Sequence, residues 1–274
     1  MPENSNTSEE EQSGIRKLIS TGAEIAGGAV GGALGFLAGG PAGAALGGAG
    51  GAAAAAALKH IGEEASERLL APRERVRVGG VLAIAAEEIR QRVEQGESVR
   101  TDGFFESRNG GRPDAEEVAE SILLKSQREA EEKKIPYMGN LFAAVAFDSQ
   151  ISPQMAHQII KTAEQLTYRQ LCIFKLAAVK QTLTLRKGGY RDAGGDFTKE
   201  LYQVLYECLD LYHRGLVNYG GGVVFGPTDV NPGGITIQGL GADIFNLMKL
   251  DLIPNEDVAP IAMQLSSDSS VHNK

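Results

Sequence analysis

The chain has 274 residues, 42% of them hydrophobic and 23% charged, and a formal net charge of −8. An acidic chain offers no basic surface of the kind that neutralises a phosphate backbone, so nucleic-acid binding is not expected. The two cysteines, Cys172 and Cys208, exclude a disulfide scaffold and read as buried, reduced thiols beside apolar neighbours.

Residues 1–20 are expected to form an acidic tail followed by a short amphipathic helix. Glu3 and Glu9 to Glu11 lie among polar residues. Ser13 can cap a turn that carries Ile15, Leu18 and Ile19 on one face. This start has neither the cationic nor the apolar region of a signal peptide, so a cytoplasmic protein is expected.

From Ile25 to Leu58 the chain carries no charge for 34 residues, of which twelve are Gly and fourteen Ala. Gly27, Gly31, Gly35, Gly39, Gly43, Gly47 and Gly51 recur at steps of four. On a helix this spacing opens a groove where a second backbone can approach closely, the small-xxx-small signature of helices packed in lipid. In water each helical Gly costs about 1 kcal/mol relative to Ala, so a compensating close contact is required. Pro41 follows Gly39 and Gly40 and divides the run into two helical arms joined by a tight turn. Residues 21–60 are therefore expected to form a glycine-zipper hairpin. Arg16, Lys17, Lys59 and Arg68 would lie at its open end, as the positive-inside tendency favours. The seven large apolar residues supply only about −2 to −4 kcal/mol of insertion free energy, too little for a secure monomeric insertion. A homo-oligomer in contact with the inner face of the cytoplasmic membrane is expected, with those seven glycines as its packing seam. The alternatives are a hairpin buried in soluble protein and a low-complexity arm.

Residues 61–150 read as an α-helical region. Val78, Val81, Leu82, Ala85, Ile89 and Val93 place a helix from Pro72 to about Gln95, stopped by Gly96. The connection 96–113 is polar, and Phe104 and Phe105 are expected to dock on the helical core. Asp114 and Glu117 have capping-box spacing for a helix to about Lys134, whose charge-laced tail, with Glu129 and Lys133 at i,i+4, reads as solvated. Pro136 resets the chain before a helix face of Met138, Leu141, Phe142 and Val145.

Residues 151–255 read as a winged-helix-like α+β region. Ser152 with Pro153, and Thr167 with Gln170, mark helix starts. A helix over Phe197–Arg214 follows, then two β-prone runs, Val223–Phe225 and Ile235–Ile237, and a helix from Gly239 to Leu250. The helix over 197–214 holds Glu200, Glu207 and Asp210 against Lys199 and Arg214, which suits a protein partner better than DNA. Residues 256–274 are expected to be a disordered tail. The fold class is thus mainly α.

No catalytic signature appears. His60, His157, His213 and His272 are scattered without metal-ligand spacing, and no Gly-Lys-Ser/Thr follows the glycines. No enzyme, metal or cofactor is expected.

Three stretches carry a resemblance: Glu132 to Phe142 (EKKIPYMGNLF), Ala163 to Ile173 (AEQLTYRQLCI) and Ile235 to Gly241 (ITIQGLG). Together they resemble the abortive-infection alpha family of bacterial anti-phage proteins over about residues 75–250. The resemblance implies a part in antiviral defence and brings no catalytic residues with it. Joined to the hairpin, it suggests a toxic, membrane-acting effector, with a soluble oligomeric adaptor as the alternative.

Overall fold

A computed structural model of the protein describes residues 51–67, 70–107, 110–191 and 197–266. The chain is mainly helical, with one two-stranded antiparallel sheet near its C-terminus. It divides into two compact units, one ending at Gln165 and the other beginning at Leu166.

In the first unit, α1 (Gly51–Glu67) is followed by α2 (Pro72–Glu94), α3 (Asp114–Gln127), α4 (Ile135–Val145) and α5 (Pro153–Gln165). α2 starts as the sequence predicts, with Pro72 in its first turn and Glu74 Oε2 accepting from the Ala71 N–H at 2.9 Å. It ends before Gly96, whose φ of +86° lets the chain turn off the helix. α2 packs along α4, with glycines where the two helices come closest: Gly80 of α2 faces Ile135 and Gly139 of α4 faces Ile84. A Cβ on Gly139 would stand 2.8 Å from Ile84 Cβ and 3.0 Å from Val81 O. Only glycine lets these two helices meet so closely.

Three expectations change here. Pro113, not Asp114, takes the N-cap position of α3, and no side-chain capping bond forms. Pro136 lies in the first turn of α4, where its missing N–H costs nothing, so it starts that helix rather than preceding it. The helix expected to reach Lys134 stops at Gln127 and gives way to a 3₁₀ turn over Glu132–Lys134. The reason is a buried cation. Lys134 is 1% exposed, its Nζ 2.5 Å from Glu129 Oε2 and 3.0 Å from the Glu164 carbonyl. A desolvated ammonium needs such partners, and a continuous solvated helix would not supply them.

Phe104 and Phe105 are buried, edge to face at 5.2 Å. Arg100, also buried, sits 4.3 Å over the Phe104 ring and donates to the carbonyls of Val145 and Ile151. It thereby ties the 96–113 connection to the end of α4.

The second unit is built around α6 (Tyr168–Val179), whose Leu171, Ile173, Phe174 and Leu176 are completely buried. Its expected capping box is present: Thr167 Oγ1 accepts from the Gln170 N–H, and Gln170 Oε1 accepts from the Thr167 N–H. α7 (Lys199–His213), β1 (Val217–Tyr219), β2 (Ile235–Ile237), α8 (Leu240–Leu247) and α9 (Asn255–Gln264) follow. Arg169 reaches across from α6 to pair with both oxygens of Glu207 on α7 at 2.6 and 2.8 Å. Beside it Gln170 donates to Asp210 at 2.8 Å. Glu207 and Asp210 of α7 therefore bind its neighbour helix, α6.

Two expectations are corrected in this unit. The first strand is Val217–Tyr219, not Val223–Phe225, and its register pairs Val217 with Ile237, Asn218 with Thr236 and Tyr219 with Ile235. Residues 255–264, expected within a loose tail, form α9. Val258 and Ile261 are buried, and Tyr168 Oη donates to Asp257 at 2.8 Å. Residues 267–274 lie outside the described residues.

Candidate functional site

The sequence reading placed its site on the glycine seam. Gly27, Gly31, Gly35, Gly39, Gly43 and Gly47 lie outside the described residues, as do most of the hairpin and the 1–20 segment. Gly51 is the first residue of α1, which runs unbroken through Glu67 and across the expected boundary at 60/61. The end of the uncharged run is thus part of a helix that packs on α3, with Ala54, Ala57 and Ile61 buried. His60 Nδ1 stands 3.3 Å from Glu116 on α3, and Glu64 stands 3.6 Å from Arg112.

Among the described residues, no group of three or more His, Cys, Asp and Glu side chains could hold a metal ion. Cys208 is fully buried, and that burial pushes its thiol up to about 12, so it stays protonated at neutral pH. A thiol in that state is a packing group.

The open surface lies on the second unit, around the chain that joins β1 to β2. Asn218 Oδ1 accepts from the Tyr219 and Gly221 N–H groups, and Gly220 and Gly221 take φ of +78° and +84°. These turn the chain out of the sheet and end β1. Gly222 to Phe225 then run on without turn or bend. Val223 is 67% and Phe225 78% exposed, while Val224 between them is 5% exposed. This is the alternation of a half-buried strand, yet among the described residues no strand pairs with it. Among the described residues, the main-chain groups of Gly222, Val223 and Val224 have no hydrogen-bond partner.

Asp229 fixes the far end of this segment. Its Oδ2 accepts from the Phe225 and Gly226 N–H groups at 3.0 and 3.2 Å. Both its oxygens also receive the Arg191 guanidinium. That guanidinium and the two N–H groups hold the Asp229 carboxyl below the usual carboxylate range. Arg191 is placed by the segment 185–191, which runs beside residues 228–233. The Tyr190 N–H donates to Thr228 O, and the Gly233 N–H to Arg186 O. A Cβ on Gly189 would meet Thr228 O at 2.8 Å, so glycine is required for this approach.

The result is an open groove of about 380 Å³ lined by Gly189, Arg191, Val223, Phe225, Thr228 and Asp229. α7 packs against the 227–229 turn beneath it and exposes Tyr202 and Tyr206, one turn apart. The Tyr190 ring, next to Arg191 in sequence, is buried with Arg186 4.9 Å over its face, and its hydroxyl has no hydrogen-bond partner among the described residues. Burial raises that hydroxyl to about 12.

The sequence reading marked Val223–Phe225 as β-prone and missed the groove. Its charged pair, Arg191 and Asp229, stands 38 residues apart with no local pattern to join them. The one available signal was an apolar tripeptide between a glycine run and Gly226-Pro227.

No protein-family model, curated protein or solved structure matches this chain.

Proposed function

We propose that this chain is a bacterial defence effector of the abortive-infection type. On this reading its glycine-zipper hairpin self-associates in or on the inner membrane, and its C-terminal unit is a winged-helix-like module that receives a protein partner. The observation that carries the reading is the register of glycines at steps of four through an uncharged run. Glycine in that order is costly in water and useful only where backbones meet. No helix among the described residues is long and apolar enough to cross a membrane, and the proposal assigns membrane contact to residues 21–60. The order α6, α7, β1, β2, α8 supports the winged-helix likeness. The exposed side chains around the groove support a protein as what it receives, and the acidic residues of α7 argue against DNA.

A specific observation favours the alternative, a soluble oligomeric adaptor. Ala54 and Ala57, at the end of the same uncharged run, are buried in a helix that packs on α3. The rest of the run would then serve contacts between protein chains only.

The double variant Gly31→Leu, Gly35→Leu separates these readings. Leucine raises both hydrophobicity and helix propensity, so insertion alone would be strengthened. The seam reading expects the variant still to fractionate with membranes, while crosslinked oligomers and growth arrest on induced expression are lost. Full-length protein that stays in the soluble fraction and forms crosslinked oligomers there favours the adaptor. Unchanged crosslinking with unchanged growth arrest removes the seam.

A further inference from the structure

We propose that α1 is a releasable cover, closed in the resting protein, whose departure from α3 frees the end of the uncharged run for the membrane. This rests on the membrane reading above and names the step that such a reading requires.

The requirement comes from two places for the same residues. The membrane reading gives residues 21–60 to lipid. Residues 51–60 are the first part of α1, which packs on α3 with Ala54, Ala57 and Ile61 buried. An alanine buried in a folded unit is not available to a bilayer, so the two places belong to two states of the chain. Only the departure of α1 from α3 leads from one to the other.

The surroundings of α1 keep that step small. α2 packs on α3 and α4, and α3 packs on α4 and α5, so the remaining helices hold one another without α1. α2 also starts independently, with Glu74 Oε2 accepting from the Ala71 N–H ahead of Pro72. The seam beneath α1 is incompletely filled. Ile61 lines an apolar void of about 20 Å³ together with Phe104, Phe105, Val118 and Phe142. Atoms that face a void forgo the dispersion contacts of a close-packed core.

The polar contacts tell the same way. Glu64 of α1 stands 3.6 Å from Arg112, and His60 Nδ1 stands 3.3 Å from Glu116. When α1 leaves, Arg112 keeps Glu120 at 2.7 Å and Glu116 at 3.5 Å. Release therefore strips neither Arg112 nor Glu116 of a partner, and no ion-pair penalty opposes it there. What holds the cover closed is apolar: its departure opens the void, and with it the edges of Phe104 and Phe105, to water. The α2–α4 contact has no comparable slack, since a Cβ on Gly139 would stand 2.8 Å from Ile84. Local opening thus takes α1 ahead of α2 and α4.

The test uses the full chain and vesicles of phosphatidylethanolamine and phosphatidylglycerol. His60→Cys with Glu116→Cys places two thiols where the parent side chains meet, and a short bis-maleimide joins them. Cys172 and Cys208 are buried and stay unmodified. Joining is expected to lower vesicle binding in flotation at least about tenfold, relative to the same double variant blocked with a mono-maleimide. Ile61→Ser lies beyond the uncharged run and leaves its hydrophobicity unchanged. It is expected to speed hydrogen exchange of the α1 amides at least about tenfold, to leave those of α2 and α4 unchanged, and to raise vesicle binding. The proposal is overturned by equal binding of joined and blocked protein, or by α1 amides that exchange only together with those of α2 and α4. Faster α1 exchange in Ile61→Ser without a gain in binding also overturns it. Each of these leaves the membrane reading standing and removes release as its step. No binding by the unaltered chain or by any variant overturns the membrane reading itself, and the proposal falls with it.

Discussion

The two units of this chain bury their apolar groups in different ways. In the first, helices meet at small residues: Gly139 of α4 lies against Val81 and Ile84 of α2, and α1, with Ala54 and Ala57 buried, packs on α3. Charges taken inside, Arg100 and Lys134, are fully engaged by carboxylates and carbonyls. The second unit is aromatic, with six of the seven tyrosines, and it leaves Tyr202, Tyr206, Val223, Phe225 and Met263 exposed. In the first unit only Leu124, among the described residues, is a large apolar side chain left open. Single exposed apolar residues need no explanation. A pair at i and i+2, beside main chain that has no partner among the described residues, does. The comparison separates a sealed frame from a unit whose surface is still available for contact.

The comparison can be tested hardest at the glycines. A Cβ on Gly241 would lie 2.2 Å from Leu216 O, a backbone atom that cannot swing aside. Gly241→Ala is therefore expected to cost about 3 kcal/mol or more. At Gly139 the nearest atoms belong to the Ile84 side chain at 2.8 Å, and alanine regains about 1 kcal/mol of helix propensity. Gly139→Ala should thus cost less, about 1–2 kcal/mol. Urea midpoints at unchanged m-value measure both. A greater loss at Gly139 would mean that close helix contact, not the β1–α8 junction, is the tighter fit.

Alkali should distinguish the units next. Burial raises Tyr190 and Cys208 to about 12 and Tyr219 well above its ordinary value. The folded state then holds protons that the unfolded chain gives up above about pH 9 to 10. The stability these groups contribute is fully present below that range and is lost as pH rises toward about 12. All three lie in the second unit. Near-ultraviolet dichroism, dominated there by six tyrosines, is expected to collapse before the far-ultraviolet helical signal has fallen by half. Simultaneous loss of both signals in one transition would show that the units do not respond separately.

Much of this architecture was legible in the sequence where the cause is local. The apolar period of α2, the Ser152 and Thr167 caps and the Gly96 stop depend on residues within one or two turns of each other. The missed features depend on distant partners. β1 is Val217–Tyr219 because Tyr219 Oη reaches the buried Cys208 carbonyl at 3.0 Å and Gly220 turns the chain away, which β propensity at Val223–Phe225 could not reveal. Lys134 looked solvated until Glu164, thirty residues on, supplied its second acceptor. α9 carries only Val258 and Ile261 as buried anchors, too short a stripe to stand out from its polar sequence. The groove is formed by the meeting of 185–191 with 223–229, and no repeat or spacing announces it. Of the seven seam glycines read from sequence alone, Gly27 to Gly47 lie outside the described residues, and Gly51 opens α1.

The smallest expected effect is the most discriminating. Val223, Val224 and Phe225 are similar in apolar character, and a composition-based account treats them alike. The structure does not: Val224 is 5% exposed, and its neighbours are 67% and 78% exposed. Serine at Val224 removes buried methyl groups and introduces a hydroxyl, so a loss of about 1–3 kcal/mol is expected. Serine at Val223 or Phe225 gives up almost no burial and should change stability by no more than about 0.5 kcal/mol. Thermal midpoints of the three single variants, at one protein concentration, make the comparison. The pattern of one large loss between two near-zero ones is what a one-sided strand predicts, with its outer face contributing nothing to folding. If Phe225→Ser lowers the midpoint as much as Val224→Ser, the ring is packed on the fold in solution. The surface assigned to a partner would then already be occupied by the chain itself.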